Sequence, residues 1–203
     1  PGIAQRNLQH KVAALTQAES TEVTLETSPA LLLLMGQADH VDIRAENALL
    51  GQVRVSELSL TGDNVGFDFG NLDAQDGSAV RRADRLNLQA VVSADNLKDL
   101  IQRKVDKIEN IDVTISPEKI TVTGQAKIMG RMADIRIEGT VLEENSSIYF
   151  RMSSLSIKNA IVGKAVLGNF FGDILLTNLH ALPFKAELDD VVQKDGEVVI
   201  TAS

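Results

Sequence analysis

Apolar positions in this chain recur with two periods, and the changes between them mark out its elements. Leu8, Val12 and Leu15 fall at helical spacing among polar residues, which predicts an opening helix over residues 2–18. Val23 and Leu25 then alternate with polar neighbours as a short strand would. Pro29 opens and Gly36 closes the run Ala30-Leu31-Leu32-Leu33-Leu34-Met35, punctuation that predicts a short, deeply buried helix.

From Val41 the period is two. Val41, Ile43 and Ala45 alternate, followed by Val53 and Val55, then Leu58 and Leu60, then Val65, Phe67 and Phe69. The phase slips by one residue near Ser56-Glu57, which predicts a bulge and hence a bent strand. Residues 71–79 are rich in Asp, Gly and Asn and read as a surface loop, after which Leu86, Leu88, Ala90 and Val92 complete the first run of strands.

Ser93 is a candidate N-cap with acidic Asp95 in the first turn behind it. Leu97, Leu100, Ile101, Val105 and Ile108 form the apolar stripe of a middle helix. A second run of strands follows: Ile111 to Ile115, the turn Ser116-Pro117-Glu118-Lys119, Ile120 to Ile128, Ile135 to Val141, and Ile148 to Ile157. Asn145-Ser146 is a hairpin connection, and Leu155 and Ile157 are again out of phase with Ile148, Phe150 and Met152. Ala160 to Leu176 is densely apolar with few polar interruptions and predicts a third helix, apolar on most sides and notched by Gly163, Gly168 and Gly172. Leu182-Pro183-Phe184 ends that segment, and two closing strands flank Lys194-Asp195-Gly196.

The order predicts an α+β fold: a strongly curved antiparallel sheet wrapped around long amphipathic or apolar helices. We expect one domain over residues 1–203, its halves meeting near 92/93, with a weak internal pseudo-repeat of helix and meander.

Composition narrows the function. A chain of 203 residues can bury a sizeable core without staples. The absence of cysteine removes disulfides, thiolate metal sites and cysteine nucleophiles. Net charge is −8, with one Tyr and no Trp, a poor endowment for nucleic acid, which wants a basic face and stacking rings. The longest strongly apolar run, Ala30 to Met35, falls short of the ~20 residues that span a bilayer. A trimmed leader before Pro1 remains an expectation of the sequence.

Candidate chemistry is sparse. His10, His40 and His180 lie in unrelated contexts, and no metalloprotease, P-loop, nucleophile-elbow or dinucleotide motif is present. Asp63, Asp68, Asp73 and Asp76 could supply oxygens to a cation, but their spacing is not that of an EF-hand and a solvated loop is the plainer reading. Lys98, Arg103, Lys104 and Lys107 on the middle helix, and Arg81, Arg82 and Arg85 before it, read as solvated faces or as contacts to anionic headgroups. The apolar face of the third predicted helix reads either as plain core or as the wall of an acyl-chain cavity, where each buried methylene is worth ~0.8 kcal/mol.

Taken together, the opening helix and strand, Pro29 to Gly36, Val92-Ser93-Ala94-Asp95-Asn96-Leu97, Leu182-Pro183-Phe184 and Asp195-Gly196-Glu197-Val198-Val199-Ile200 resemble the LmeA-like phospholipid-binding proteins along nearly the full length. That resemblance implies a bacterial, extracytoplasmic protein of the cell envelope and a tubular lipid-binding-like fold. It also implies non-enzymatic binding or transfer of a phospholipid or other acyl-chain ligand, with no cofactor and with peripheral membrane contact. The expected wall residues are Leu97, Ile101, Val105, Val162, Val166, Phe170, Phe171 and Ile174. The competing expectation is a structural or interaction protein of the envelope with a filled core and no small ligand.

Overall fold

The computed structural model describes residues 2–26, 36–68, 70, 80–128, 130–157, 160–162, 172–182 and 184–203, the backbone alone for 4, 26 and 160–162. Among these the chain is mostly β, with two short helices, a half-barrel antiparallel sheet and a second antiparallel sheet.

The first sheet runs β1 (Ser20–Glu26), β2 (Gln37–Leu50), β3 (Val53–Phe67), β5 (Arg85–Ser93), β13 (Glu197–Ala202) and β12 (Leu188–Lys194), with β4 (Val80–Arg82) pairing the end of β3. The second is a meander, β6 (Ile108–Ile115), β7 (Ile120–Ile128), β8 (Arg131–Glu144) and β9 (Ser147–Ile157), with β10 (Ala160–Val162) and β11 (Ile174–Asn178) both on the free edge of β9. At 14 and 15 residues, β2 and β3 are long strands, each spanning roughly 45–50 Å.

Their alternation reverses twice. On β2 the buried positions run Ala38, then Val41, Ile43 and Ala45, then Ala48 and Leu50. On β3 the inward positions are Val53 and Val55, then Leu58, Leu60 and Gly62, then Val65 and Phe67. Yet the β2–β3 register never shifts: the offset is the same from Gln37↔Gly66 to Leu50↔Val53, and the ladder skips only the positions 39/64 and 47/56. The slip expected at Ser56-Glu57 is therefore not a one-residue bulge. Asn47, with φ 48°, stands across from Ser56, and Asn64, also φ 48°, stands across from Asp39. Each left-handed residue turns both strands over together, so the inside stays apolar and the pairing survives. Asparagine tolerates that conformation better than most residues.

True register shifts occur in the second sheet. One lies between Glu138 and Gly139 where β8 pairs β9, at the phase change seen between Met152 and Leu155. Another lies between Glu109 and Asp112, where Asn110 has φ 53°. A Cβ on the facing Gly124 would sit 2.6 Å from Ile108 Cγ2, so the kink needs a glycine there. Asn145 and Ser146, φ 53° and 60°, form the tight hairpin turn between β8 and β9.

Helix α1 (Gly2–Thr16) packs on β1, and α2 (Ala94–Lys104) lies against both sheets. Ser93 caps α2 as expected: its hydroxyl accepts from the Asn96 N–H at 3.2 Å, and Asn96 Oδ1 accepts from the Ser93 N–H at 2.9 Å. The helices are short, which corrects the expectation of long ones. The third predicted helix is also corrected at both ends. Ala160–Val162 and Ile174–Asn178 are strands that pair Leu155–Ile157 and Ser147–Phe150 of β9, and residues 163–171 lie outside the described residues. Runs such as Ile161-Val162 and Ile174-Leu175-Leu176 carry no period that separates buried helix from buried strand, and here the edge of β9 decided. The expected helix at 30–35 also falls outside them.

Candidate functional site

The inner face of the half-barrel is built from rows that cross it strand by strand. One row is Val23, Ile43, Leu60, Leu88, Ala202 and Leu188; a second is Ala45, Leu58, Ala90, Ile200 and Val191; a third is Leu25, Val41, Gly62 and Leu86. All are apolar, while the alternate rows, such as Asp42, Thr61 and Asn87, are polar and face outward.

Two buried clusters lie on this face. The main one joins Ala45 to Val55, α2, the second sheet and β13. The other gathers Leu8 of α1 with Val23, Leu25, Val41, Ile43, Val65 and Phe67 at the far end. Leu58, Leu60 and Leu86 are only partly buried, and Leu60 and Val80 touch both clusters. The stretch between the clusters is thus an apolar strip that neither covers completely. Gly62 lets its neighbours close in on the strip, since a Cβ there would meet Val65 Cγ2 at 2.7 Å and Leu86 Cδ1 at 3.2 Å.

The sequence-predicted wall residues divide in three. Leu97 and Ile101 have no exposed surface, and Val105 and Ile174 are 4% and 5% exposed, all four in the main cluster. Ile174 shares a row with Phe150 and Val141. Val162 lies on β10, with its backbone alone described. Val166, Phe170 and Phe171 lie outside the described residues. Sequence reasoning missed Leu58, Leu60 and Leu86 as a group. Alternation places all three on the inner face, but nothing in it marks them as only partly buried.

Polar contacts fix the borders of this face. Gln193 of β12 accepts from the Val141 N–H at 2.9 Å and donates to the Ser116 carbonyl at 3.1 Å, stitching the half-barrel to the second sheet. Arg103 and Lys104 reach the β2–β3 turn, donating to the Gln52 carbonyl at 2.8 Å and to Gln52 Oε1 at 3.0 Å. Arg151 holds Asp173 with both carboxylate oxygens engaged, the shortest contact being 2.7 Å, and Glu144 at 2.6 Å. The Asp173 hydrogen bonds, then that to Glu144, hold the Arg151 guanidinium still further above its ordinary value. The acids of the proposed ion loop part company: Asp63 pairs His40 at 2.9 Å, Asp68 pairs Arg81 at 2.8 Å, and Asp73 and Asp76 lie outside the described residues. Among the described residues no group of three or more potential metal ligands forms. A hollow on the outer face of β7 and β8 is lined by Asn110, Gln125, Asp134 and Arg136, and its amides bond one another.

The sequence profile of the LmeA-like phospholipid-binding proteins matches residues 2–203. The chain belongs to that family. No curated protein and no solved structure matches it significantly. The family's description names a bound phospholipid rather than a reaction. No helix among the described residues is long and apolar enough to cross a membrane.

Proposed function

We propose that this LmeA-like protein binds phospholipid without chemistry, its acyl chains lying along the inner face of the half-barrel. The observation that carries this is the half-buried strip of Leu58, Leu60 and Leu86 between two closed clusters. Apolar side chains left partly exposed on a sheet's inner face gain from an apolar cover. An acyl chain supplies one at ~0.8 kcal/mol per methylene buried, before its own ordering cost. Leu97, Ile101, Val105 and Ile174 form the packed wall behind the strip, and the headgroup stays at the wetter rim. An extracytoplasmic place in the bacterial envelope belongs to the same reading and rests on the family.

Native mass spectrometry of delipidated protein after incubation with phospholipid tests it. Retained lipid is expected for the parent, and Leu60→Gln, which wets a half-exposed site, should lose most of it while keeping its thermal transition. A parent that retains no lipid, or a folded Leu60→Gln that retains as much as the parent, would overturn the assignment.

A further inference from the structure

The two ends of the second sheet differ in charge. The β6–β7 and β8–β9 turns share one end, where Glu118, Glu143 and Glu144 are exposed. The cations nearest them, Lys119 and Arg151, are held in ion pairs. The β7–β8 hairpin stands at the other end, and its closing ladder pairs are Lys127↔Met132 and Ile128↔Arg131. Residues 124–133 hold these two cations and no acid, in a chain whose net charge is −8. Neither the Lys127 ammonium nor the Arg131 guanidinium bonds a described residue. The nearest acids on the paired strands, Glu109 and Asp134, lie one level back beside Gln125, which donates to Asp134.

The register makes this hairpin a projecting tip. The pairing of β6 reaches only Ala126, and that of β9 only Ile135, so among the described residues the two closing pairs have no other strand beside them. Gly130 in the turn has open space around it. Alternation puts Lys127 and Met132 on the outer face and Ile128 and Arg131 on the inner one, so each face carries an apolar group beside a cation. Met132 is 47% exposed, and Ile128 is half-buried against the main cluster.

Four side chains offer far less than the roughly 800 Å² per partner of a stable protein interface. A bilayer interface needs no such area. It accepts apolar side chains at the acyl boundary while Lys and Arg reach back to the headgroups. Each cation near an anionic leaflet raises partitioning roughly fivefold. The acids at the opposite end of the sheet turn this end towards such a surface.

We infer that the β7–β8 tip inserts into the interface of an anionic phospholipid bilayer. The inference goes beyond the lipid-binding reading and stands without it, because the tip belongs to the second sheet and the strip to the first.

The chain has no tryptophan, so Met132→Trp places a lone indole at the tip. With phosphatidylcholine vesicles partly replaced by phosphatidylglycerol, its emission should move to the blue and be quenched by brominated acyl chains. Salt should weaken both effects. Glu118→Trp, at the opposite end of the sheet, should show neither. The parent chain should float with the same vesicles, which separates its own affinity from any that the indole adds. Lys127→Glu with Arg131→Glu should cut the vesicle-bound fraction at least tenfold, with the thermal transition and the lipid retained in native mass spectrometry unchanged. A parent that does not float, an indole at 132 that stays unquenched, an equal response to neutral vesicles, or an equal response from Glu118→Trp would overturn the inference. A tip that inserts in a chain retaining no lipid would support the inference and sink the strip; a chain that retains lipid but never floats would do the reverse.

Discussion

The side-chain amide of Gln9 donates to the backbone carbonyl of Thr21 at 2.6 Å, and one helical turn earlier Gln5 makes the same bond to Val23 at 2.6 Å. The spacing is a match of two periods. Four residues of helix rise about 6 Å, and two residues of strand about 6.6 Å. α1 can therefore lie along β1 and satisfy alternate carbonyls on the edge away from β2. An uncovered edge is a template for pairing with another chain. Removing both amides, Gln5→Ala with Gln9→Ala, should cost about 1 kcal/mol per bond and speed hydrogen exchange along Ser20–Glu26. It should also raise self-association at high concentration, read by light scattering. Unchanged exchange in β1 would mean that the pairing with β2 alone protects the edge.

Asn47 is the second place where backbone geometry decides an outcome. Its φ of 48° turns β2 and β3 over together, and its side chain donates to Glu19 Oε2 at 2.6 Å while Arg54 donates to its carbonyl. Asn47→Gly keeps the conformation and loses one exposed hydrogen bond, so a cost well under about 1 kcal/mol is expected. Asn47→Val puts a β-branched residue at positive φ and should cost about 1–3 kcal/mol. Urea unfolding of the two variants gives the comparison, and equal costs would remove the backbone explanation.

These two relationships show what the sequence made legible. The period-two runs located nearly every strand, because side-chain alternation is local and the inner face is continuously apolar. Ser93, Asn145-Ser146 and Gly196 announced a cap and two turns, because those residue types answer a local conformational need. The phase slip at Ser56-Glu57 was visible too, but its cause lies on the neighbouring strand, at Asn47, and a pairing partner cannot be read from one strand. Helix was expected over 160–176 for a related reason: a dense aliphatic run has no period, and at its two described ends, Ala160–Val162 and from Ile174, only the free edge of β9 distinguishes strand. The strip at Leu58, Leu60 and Leu86 was hidden because partial burial depends on where two clusters stop, which no local pattern records.

Glu138 should titrate below an ordinary glutamate. Lys119 Nζ donates to its Oε1 at 2.7 Å, and Arg136 Nε lies 3.4 Å away. The hydrogen bond from Lys119 is the main cause; desolvation opposes it, and the charges of Lys119 and Arg136 add to the lowering. A depressed carboxylate contributes stability above its unfolded pKa and loses it as pH falls through the folded value. The contribution is therefore whole at neutral pH and vanishes in acid. It is small, since Lys119 is 46% exposed and salt screens the pair. An NMR titration of the Glu138 carboxyl carbon should move upward in Lys119→Met, with the acid unfolding midpoint scarcely changed. An unmoved titration would rule out Lys119 as the cause.

Thr177 is 1% exposed, and among the described residues its hydroxyl has no hydrogen-bond partner. It faces Gly51 in the β2–β3 turn, where an added Cβ would sit 2.6 Å from Oγ1. A buried hydroxyl without a hydrogen bond carries its desolvation cost for no return. Thr177→Val keeps the shape, so it should be neutral or stabilise by up to about 1 kcal/mol. Thr177→Ser keeps the hydroxyl and opens a methyl-sized void, and should destabilise. A Val variant less stable than the Ser variant would show that the hydroxyl is bonded in solution.

Gly139 stands at the register shift between β8 and β9, and a side chain there has nowhere to go. Its Cβ would collide with the Arg151 carbonyl oxygen and lie 2.9 Å from the Phe150 ring. Glycine in the middle of a paired strand otherwise weakens it, so the benefit here is close approach and the ring that covers the gap. Gly139→Ala should destabilise by about 1–3 kcal/mol through overpacking. Gly130, with φ 82° and open space around it, provides the contrast: its alanine variant carries backbone strain alone. The two obstacles at Gly139 are separable. Phe150→Leu removes the ring but leaves the Arg151 carbonyl, so adding it to Gly139→Ala should recover only part of the loss in a double-mutant cycle. Complete recovery would assign the whole cost to the ring; no recovery would place it in the backbone and confirm that the bend at this register shift requires a residue without a side chain.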